Sequence, residues 1–174
     1  GIRALRKVGG LYNKDITIGR LVFWITPKIN AAGRLGDATR SVKLLTTKNP
    51  VMAFEIAKDL EKENNKRKII TLNIINEALN LVNNYCNLDK EKAIILQNSN
   101  WHQGVIGIVA SRIKEIYERP TIIISMDEDE GRGSCRSIIG FDMVEALSKC
   151  EKYLIGFGGH PIAAGLSIKS NNEP

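Results

Sequence analysis

Residues 93–124 are AIILQNSNWHQGVIGIVASRIKEIYERPTIII, and this stretch decides the fold. It begins and ends with the short apolar runs 93–96 and 121–124, which are typical of buried strands. Between them, apolar residues recur at helical spacing over 105–117, and Pro120 ends the helix. The pattern predicts a β-α-β unit, in which the strands are normally parallel and the connection is right-handed.

The residues after this unit predict two further strands. An acidic stretch at 127–131 has the composition of an exposed turn, and residues 133–138 would return from it as a hairpin partner. Asp142 is expected to cap a helix that runs through Leu147, and residues 163–168 form the last predicted strand. The predicted fold class is therefore α/β, with a mixed and mostly parallel sheet flanked by helices.

The stretch from Val51 to Tyr85 contains no Gly or Pro and has helical apolar spacing at both ends. Its middle, 61–68, is polar throughout. One long connecting helix over 49–88 explains this pattern, with Asn49 as the cap and Pro50 in the first turn. The alternative is two shorter antiparallel helices with a turn at the Asn-Asn pair, but this pair is a weak breaker without Gly, so one helix is preferred.

Residues 1–48 do not resemble a complete domain. They contain one apolar run at 21–25, then a polar, turn-like stretch around Pro27 and Asn30, then a short predicted helix over 38–45. The chain begins with Gly1 rather than Met, and residues 171–174 add no closing element. We therefore expect a piece of a longer protein, in which 1–48 complete an upstream domain.

Charge and composition restrict the classes of function. The net charge is +6, and residues 1–48 hold ten Lys or Arg against two acidic residues. This concentration suggests a polyanion partner, although a solvated surface or an acidic neighbouring domain would also explain it. No apolar run is long enough to span a bilayer, and no secretory signal opens the chain. Three scattered cysteines argue against a disulfide framework or a zinc ribbon and favour the cytoplasm.

Two of the four candidate site clusters precede predicted helices. Residues 30–34 place small side chains between polar ones, so that backbone amides could approach a ligand while Arg34 binds phosphate; an ordinary turn with a surface Arg is the alternative. Residues 101–107 open the helix of the β-α-β unit, and glycines there could leave an anion-binding N-terminus. The alternative is close helix-strand packing, with His102 as an ordinary surface residue.

The other two clusters lie in the second half of the chain. Ser134 and Arg136 alternate along a strand and so share a face suited to phosphate, unless this is simply a polar edge strand. Cys135 lacks the surroundings of a cysteine nucleophile. The glycines of 156–161 predict a permissive loop that exposes His160, with a structural loop as the alternative.

Taken in series, these clusters resemble the RecJ family of single-strand-specific DNA exonucleases, within the DHH phosphoesterase superfamily. The resemblance is carried by PKINAAGRLGDA at 27–38, WHQGVIGIVASR at 101–112, GSCRS at 133–137 and GGHPIAAG at 158–165. It implies the end of a DHH catalytic domain at 1–48, a connecting helix at 49–88 and a DHH-associated substrate-binding domain at 89–174.

The resemblance also implies residue roles. Arg34, Ser134 and Arg136 would hold the 5′ phosphate of single-stranded DNA, His160 would contact a phosphate near the metals, and Asn30 would orient Arg34. The full list of expected substrate-binding residues is Asn30, Arg34, His102, Ser134, Arg136, Gly158, Gly159 and His160. The family's metals are Mn²⁺ or Mg²⁺. Only two His occur in the chain, and no metal-ligand motif is present, so we expect this piece to bind no metal and to be inactive alone.

The function implied is a 5′→3′ exonuclease of DNA repair and recombination, cytoplasmic, without membrane contact, and with replication or repair proteins as further partners. The first alternative is a DHH-family phosphodiesterase for short oligonucleotides or cyclic dinucleotides, which the long linker disfavours. A non-enzymatic module, similar to the related domain of alanyl-tRNA synthetase, is disfavoured by residues 30–34.

Overall fold

The computed structural model describes residues 1–11 and 13–170, so the chain end at 171–174 lies outside the described residues. Two compact units divide between Ile69 and Ile70. The helices are α1 (Ile2–Val8), α2 (Ile18–Arg20), α3 (Thr26–Leu35), α4 (Thr39–Thr46), α5 (Pro50–Tyr85), α6 (Ile106–Tyr117) and α7 (Met143–Ser148). The strands are β1 (Ile94–Asn98), β2 (Thr121–Met126), β3 (Glu130–Arg136), β4 (Gly156–His160) and β5 (Ala163–Lys169). No helix in these two ranges is long and apolar enough to cross a membrane.

The first unit packs its short helices around a small apolar core that includes Leu5, Ile25, Leu44 and Leu60. The turn-like stretch predicted around Pro27 and Asn30 is wrong, because these residues lie in helix α3. Proline is tolerated in a first helical turn, and the following alanines are strong helix formers that become fully buried. The predicted short helix over 38–45 is confirmed as α4.

Helix α5 is a single helix of 36 residues, so the prediction of one long helix is confirmed and the two-helix alternative is wrong. At the rise of an α-helix it extends roughly 54 Å. The Asn-Asn pair does not break it. Asn64 is 2% exposed, and its Oδ1 accepts two hydrogen bonds from Arg67, at 3.3 and 3.1 Å. The polar middle of the helix is therefore partly buried rather than uniformly solvated.

The second unit is built on a five-stranded mixed sheet of order β1-β2-β3-β5-β4. The predicted α/β class and mixed sheet are confirmed. A mostly parallel sheet is wrong, since β1-β2 is the only parallel pair among the described strands and the other three pairs are antiparallel. Helix α6 joins the parallel neighbours β1 and β2, whereas α7 lies in the connection from β3 to β4, which are not neighbours in the sheet. The β2-β3 and β4-β5 connections are short turns, which cannot make a parallel crossover.

Helices cover parts of both faces of this sheet. Helix α6 lies over the face that carries Ser134 and Arg136, with Gly107 against both side chains. Helix α7, capped by Asp142 as predicted, packs on the opposite face against Cys135 and its apolar neighbours. On the first face the outer part, made by β5 and β4, remains exposed at its glycine positions and at His160.

The segment predicted as a glycine loop before His160 is a strand, and that prediction is wrong. Residues 156–160 form β4 and pair in regular register with β5, with Gly158 opposite Gly165 and His160 opposite Ala163. These glycines allow β4 to pair closely with β5, and they do not form a flexible loop. Gly159 has φ +151°, and a Cβ there would lie 2.4 Å from the Ala163 carbonyl oxygen.

Gly159→Ala should therefore destabilise the second unit, because an added methyl meets backbone that cannot move aside cheaply. We expect a loss on the order of 1–3 kcal/mol, measured as a lower midpoint in denaturant unfolding. Gly156→Ala is the matched control, since nothing lies within 4 Å of a Cβ at that position of the same strand. Equal effects of the two substitutions would contradict this account.

Candidate phosphate-binding site

The side chain of Arg136 is held in place by three neutral acceptors. Its Nε donates to Ser111 Oγ at 3.1 Å, and its Nη1 donates to Ser134 Oγ at 3.2 Å and to the Cys135 carbonyl at 2.7 Å. Ser134 shares a strand face with Arg136, as the alternation predicted, whereas Ser111 lies on helix α6. The guanidinium is therefore oriented before any ligand arrives.

No carboxylate neutralises this guanidinium within the described ranges. The ion pairs of the sheet unit use other cations, such as Arg132 with Glu130 and Arg112 with Glu115. Nη2 of Arg136 donates no hydrogen bond to another described residue and so keeps two donors for a ligand. A fixed cation with spare fork donors and no carboxylate partner suits a phosphate oxygen.

Helix α6 packs closely against the guanidinium at Gly107. A Cβ at this position would lie 3.0 Å from Ser134 Oγ and 3.1 Å from Arg136 Nη2. The glycine thus permits the close helix-strand packing that was one interpretation of this motif. The anion-binding interpretation is compatible with it, because no side chain caps the N-terminus of α6 and the helix dipole there favours negative charge.

His160 lies on the same face of the sheet as Arg136. Both residues pair with Ala163, one from each side, so two strand spacings, about 10 Å, separate their backbones. One row away, Gly165 lies between Ser134 and Gly158. Between Arg136 and His160, the surface of β5 and β4 therefore carries only the methyl group of Ala163 and the hydrogen atoms of Gly165 and Gly158. This exposed surface is called the shelf.

The strand that carries this site is not an edge strand. β3 pairs with β2 on one side and with β5 on the other, so the alternative of a polar edge strand is wrong. A cavity of about 860 Å³ opens beside Arg136, and its other charged lining residues are Lys114, Glu115 and Glu118. A ligand can therefore reach the guanidinium from solvent even though the residue belongs to the middle of the sheet.

His102 lies in the loop that leads from β1 into α6. Its side chain is exposed, and its Nδ1 accepts a hydrogen bond from the Gly104 amide at 3.0 Å. The preceding Trp101 is buried and donates from its indole to Glu77 at 2.8 Å. The hydrogen bond of His102 is local and structural, so the expected contact of this residue with substrate remains a prediction.

Asn30 and Arg34 belong to the other unit, where both are exposed on helix α3. Their spacing of four places them on one helix face. The expected approach of free backbone amides at 30–34 is wrong, because amides inside a helix are used by its own hydrogen bonds. Whether Arg34 shares a ligand with Arg136 stays a prediction.

A second guanidinium accompanies Arg34 in this unit. Burial lowers the pKa of Arg67, and the nearby charge of Arg34 lowers it further. Asn64 holds Arg67 through the two hydrogen bonds described above. Proximity of two like charges is typical of a surface that receives an anion, which agrees with the polyanion interpretation of the basic segment. No periodic signal in the sequence marks Arg67, which stands between two lysines in a polar run.

The thiol beside Arg136 is not a nucleophile. Burial raises the pKa of Cys135 to about 11, and the neighbouring Arg136 charge offsets only part of that rise. The side chain is fully buried among apolar residues on the face covered by α7. Cys135 is therefore a core residue, and the chemistry of the site belongs to the opposite face of β3.

Within residues 1–11 and 13–170, no group of three or more His, Cys, Asp or Glu side chains could hold a metal ion.

Comparisons with known proteins identify the family to which the chain belongs. Residues 90–174 match the DHHA1 domain family. The chain is 35% identical over its full length to the single-stranded-DNA-specific exonuclease RecJ of Bacillus subtilis, and 41% identical over 99% of its length to that of Haemophilus influenzae. It covers 22% and 31% of those two proteins.

Solved structures agree with the sequence matches. RecJ from Thermus thermophilus in complex with Mg²⁺ aligns with a TM-score of 0.83 and 33% identity, over 95% of this chain and 25% of that one. The complex of the same protein with Mn²⁺ aligns with a TM-score of 0.84. The sheet unit with its Arg136 site is thus a DHHA1 domain. The chain as a whole belongs to the RecJ family, and it spans less than a third of the length of the two curated relatives described above.

Thiol reactivity should follow burial and pKa. Alkylation with iodoacetamide at pH 8 should label the exposed Cys150 and leave Cys135 unmodified, because a thiol with a pKa of about 11 carries almost no thiolate at pH 8 and is buried. Peptide mass spectrometry measures both sites. Labelling in denaturant is the control and should modify both. Early alkylation of Cys135 in the folded protein would contradict the structural role given to it.

Proposed function

We propose that this chain is the substrate-binding part of a metal-dependent 5′→3′ single-stranded-DNA exonuclease, in which Arg136 and Ser134 hold the 5′ phosphate. The observation that carries the proposal is the guanidinium of Arg136, fixed by three neutral acceptors, without a carboxylate partner in the described ranges, and open to a cavity. The names of the relatives, single-stranded-DNA-specific exonucleases, supply the class of substrate.

The charge of the ligand explains why such a site would choose a strand end. A terminal phosphate monoester carries about −1.5 to −2 charges near pH 7, whereas each phosphodiester within the strand carries one. An uncompensated guanidinium gains more from the terminal group, and its planar fork adds geometric selection. Binding of the 5′ end in this way sets the direction in which the strand is processed.

The exposed shelf beside the site gives the strand a path. Gly158 and Gly165 present backbone without side chains, and His160 stands at the far edge of the same face. We assign to His160 a contact with the scissile or a neighbouring phosphate, and to Gly158 and Gly159 the shape of the surface below it. Arg34, oriented by Asn30, would add a second cationic contact from the basic segment, and His102 a further contact near the start of α6.

We propose that successive segments of this chain have different roles in the larger protein. Residues 1–48 would complete the DHH catalytic domain, 49–88 form the connecting helix, and 89–174 form the substrate-binding domain. The Mg²⁺ and Mn²⁺ complexes of a relative support a divalent metal in the whole enzyme, and we propose that residues outside this chain hold it. A cytoplasmic role in DNA repair and recombination, with replication or repair proteins as partners, completes the proposal.

Arg136→Ala should abolish the preference for a 5′ phosphate. Fluorescence anisotropy with 5′-phosphorylated and 5′-hydroxyl oligodeoxynucleotides measures this ratio of affinities in the chain. Loss of one phosphate contact should also reduce the slope of log K against log salt concentration by about one. Lys149→Ala is the control, because it removes one positive charge from the C-terminal end of helix α7 on the opposite face. An unchanged preference in Arg136→Ala would reject the site.

His160→Ala should slow turnover in the exonuclease that contains this chain. Removal of a donor that stabilises charge on a reacting phosphate typically costs on the order of 10²-fold in kcat. Single-turnover cleavage of 5′-phosphorylated single-stranded DNA measures the step, and metal binding is followed separately by calorimetry. Intact metal binding with slower cleavage is the expected result. Normal cleavage would leave His160 with a structural role only.

A further inference from the structure

We propose that Ser111 is a positioning residue that sets the direction of the Arg136 guanidinium, and that Gly107 lets helix α6 pack closely enough for this contact. The inference deepens the proposed phosphate-binding function and rests on it. It concerns two uncharged residues of helix α6, one turn apart, to which the sequence pattern assigned no role of this kind.

Ser111 is the only hydrogen-bond partner that ties the guanidinium to the helix in the described part of the chain. The other two acceptors, Ser134 Oγ and the Cys135 carbonyl, lie on the strand of Arg136 itself and move with it. The bond from Nε to Ser111 Oγ, at 3.1 Å, therefore determines how the strand's cation lies against α6. Without it, a long side chain regains rotamer freedom that a ligand would then have to remove.

The hydroxyl group of Ser111 is itself oriented. It donates to the Gly107 carbonyl at 3.0 Å, so its proton points along the helix and its lone pairs face Arg136. The hydroxyl therefore acts as an acceptor for Nε at a fixed position. A chain of two hydrogen bonds, from Arg136 through Ser111 to the Gly107 carbonyl, connects the strand with the first turn of α6.

Gly107 contributes to this arrangement because it has no side chain. The 3.1 Å between an ideal Cβ there and Nη2 is tighter than an ordinary contact, and Ser134 Oγ lies at 3.0 Å. A methyl group would push the fork away from the N-terminal turn of α6. With glycine, the backbone of α6 can lie close to Nη2 while Ser111 holds Nε.

The test compares 5′-phosphorylated and 5′-hydroxyl oligodeoxynucleotides as probes of the chain. Ser111→Ala should reduce the 5′-phosphate preference roughly 2- to 10-fold, the value of one hydrogen bond. It should leave the salt slope unchanged, because no charge is lost. Ser111→Thr should restore the preference, since a helical Thr can make the same bond to the carbonyl four residues earlier. Arg136→Ala should lose the 5′-phosphate preference and should also reduce the slope of log K against log salt concentration by about one.

Gly107→Ala provides an independent variant in which Ser111 and Arg136 are not substituted. It should lower the preference while the helix remains stable, because Ala favours helix over Gly. Ser148→Ala is the matched control, as Ser148 also donates to a helix carbonyl but lies on α7. If Ser111→Ala and Gly107→Ala keep the full 5′-phosphate preference while Arg136→Ala loses it, the inference about Ser111 and Gly107 is overturned but the proposed function stands. An unchanged Arg136→Ala would instead overturn the proposed function.

Discussion

The hydrogen bonds that hold the Arg136 guanidinium are the constraint on which the site depends. They require β3 to lie in the middle of the sheet, so that its polar face can meet a helix, and they require α6 to approach closely enough for Ser111 to reach Nε. Gly107 makes that approach sterically allowed. Neutral hydrogen-bond acceptors offset the desolvation free energy of the half-buried Arg136 guanidinium, and they leave its positive charge available to a ligand.

The two faces of β3 separate the apolar core from the proposed phosphate site. On one face, Cys135 joins the apolar cluster under α7, and burial keeps its thiol protonated. On the other face, Ser134 and Arg136 make a polar site in contact with α6. Strand alternation alone produces this division, because successive side chains point to opposite sides. A short motif can therefore contribute both to the core and to the proposed binding site.

The glycines have structural uses that their sequence pattern did not show. Gly159 adopts a backbone conformation that other residues rarely take, while Gly158 and Gly165 form the bare floor between Arg136 and His160. The glycines before His160 were expected to lie in a permissive loop. Strand pairing instead places His160 at a defined register from Arg136, which gives the shelf a fixed geometry.

Local pattern was sufficient for the β-α-β unit, the long helix α5, the Asp142 cap and the shared face of Ser134 and Arg136, because periodicity and capping act within a few residues. Pattern failed at 27–34 and 156–160, where turn-forming residues occur inside a helix and a strand. There, burial of Ala31 and Ala32 and pairing with β5 outweigh local preference. Only the tertiary structure could bring Ser111 to Arg136, since 25 residues separate them in the chain. Side-chain contacts across a sheet and a helix depend on packing, which no short stretch of sequence contains.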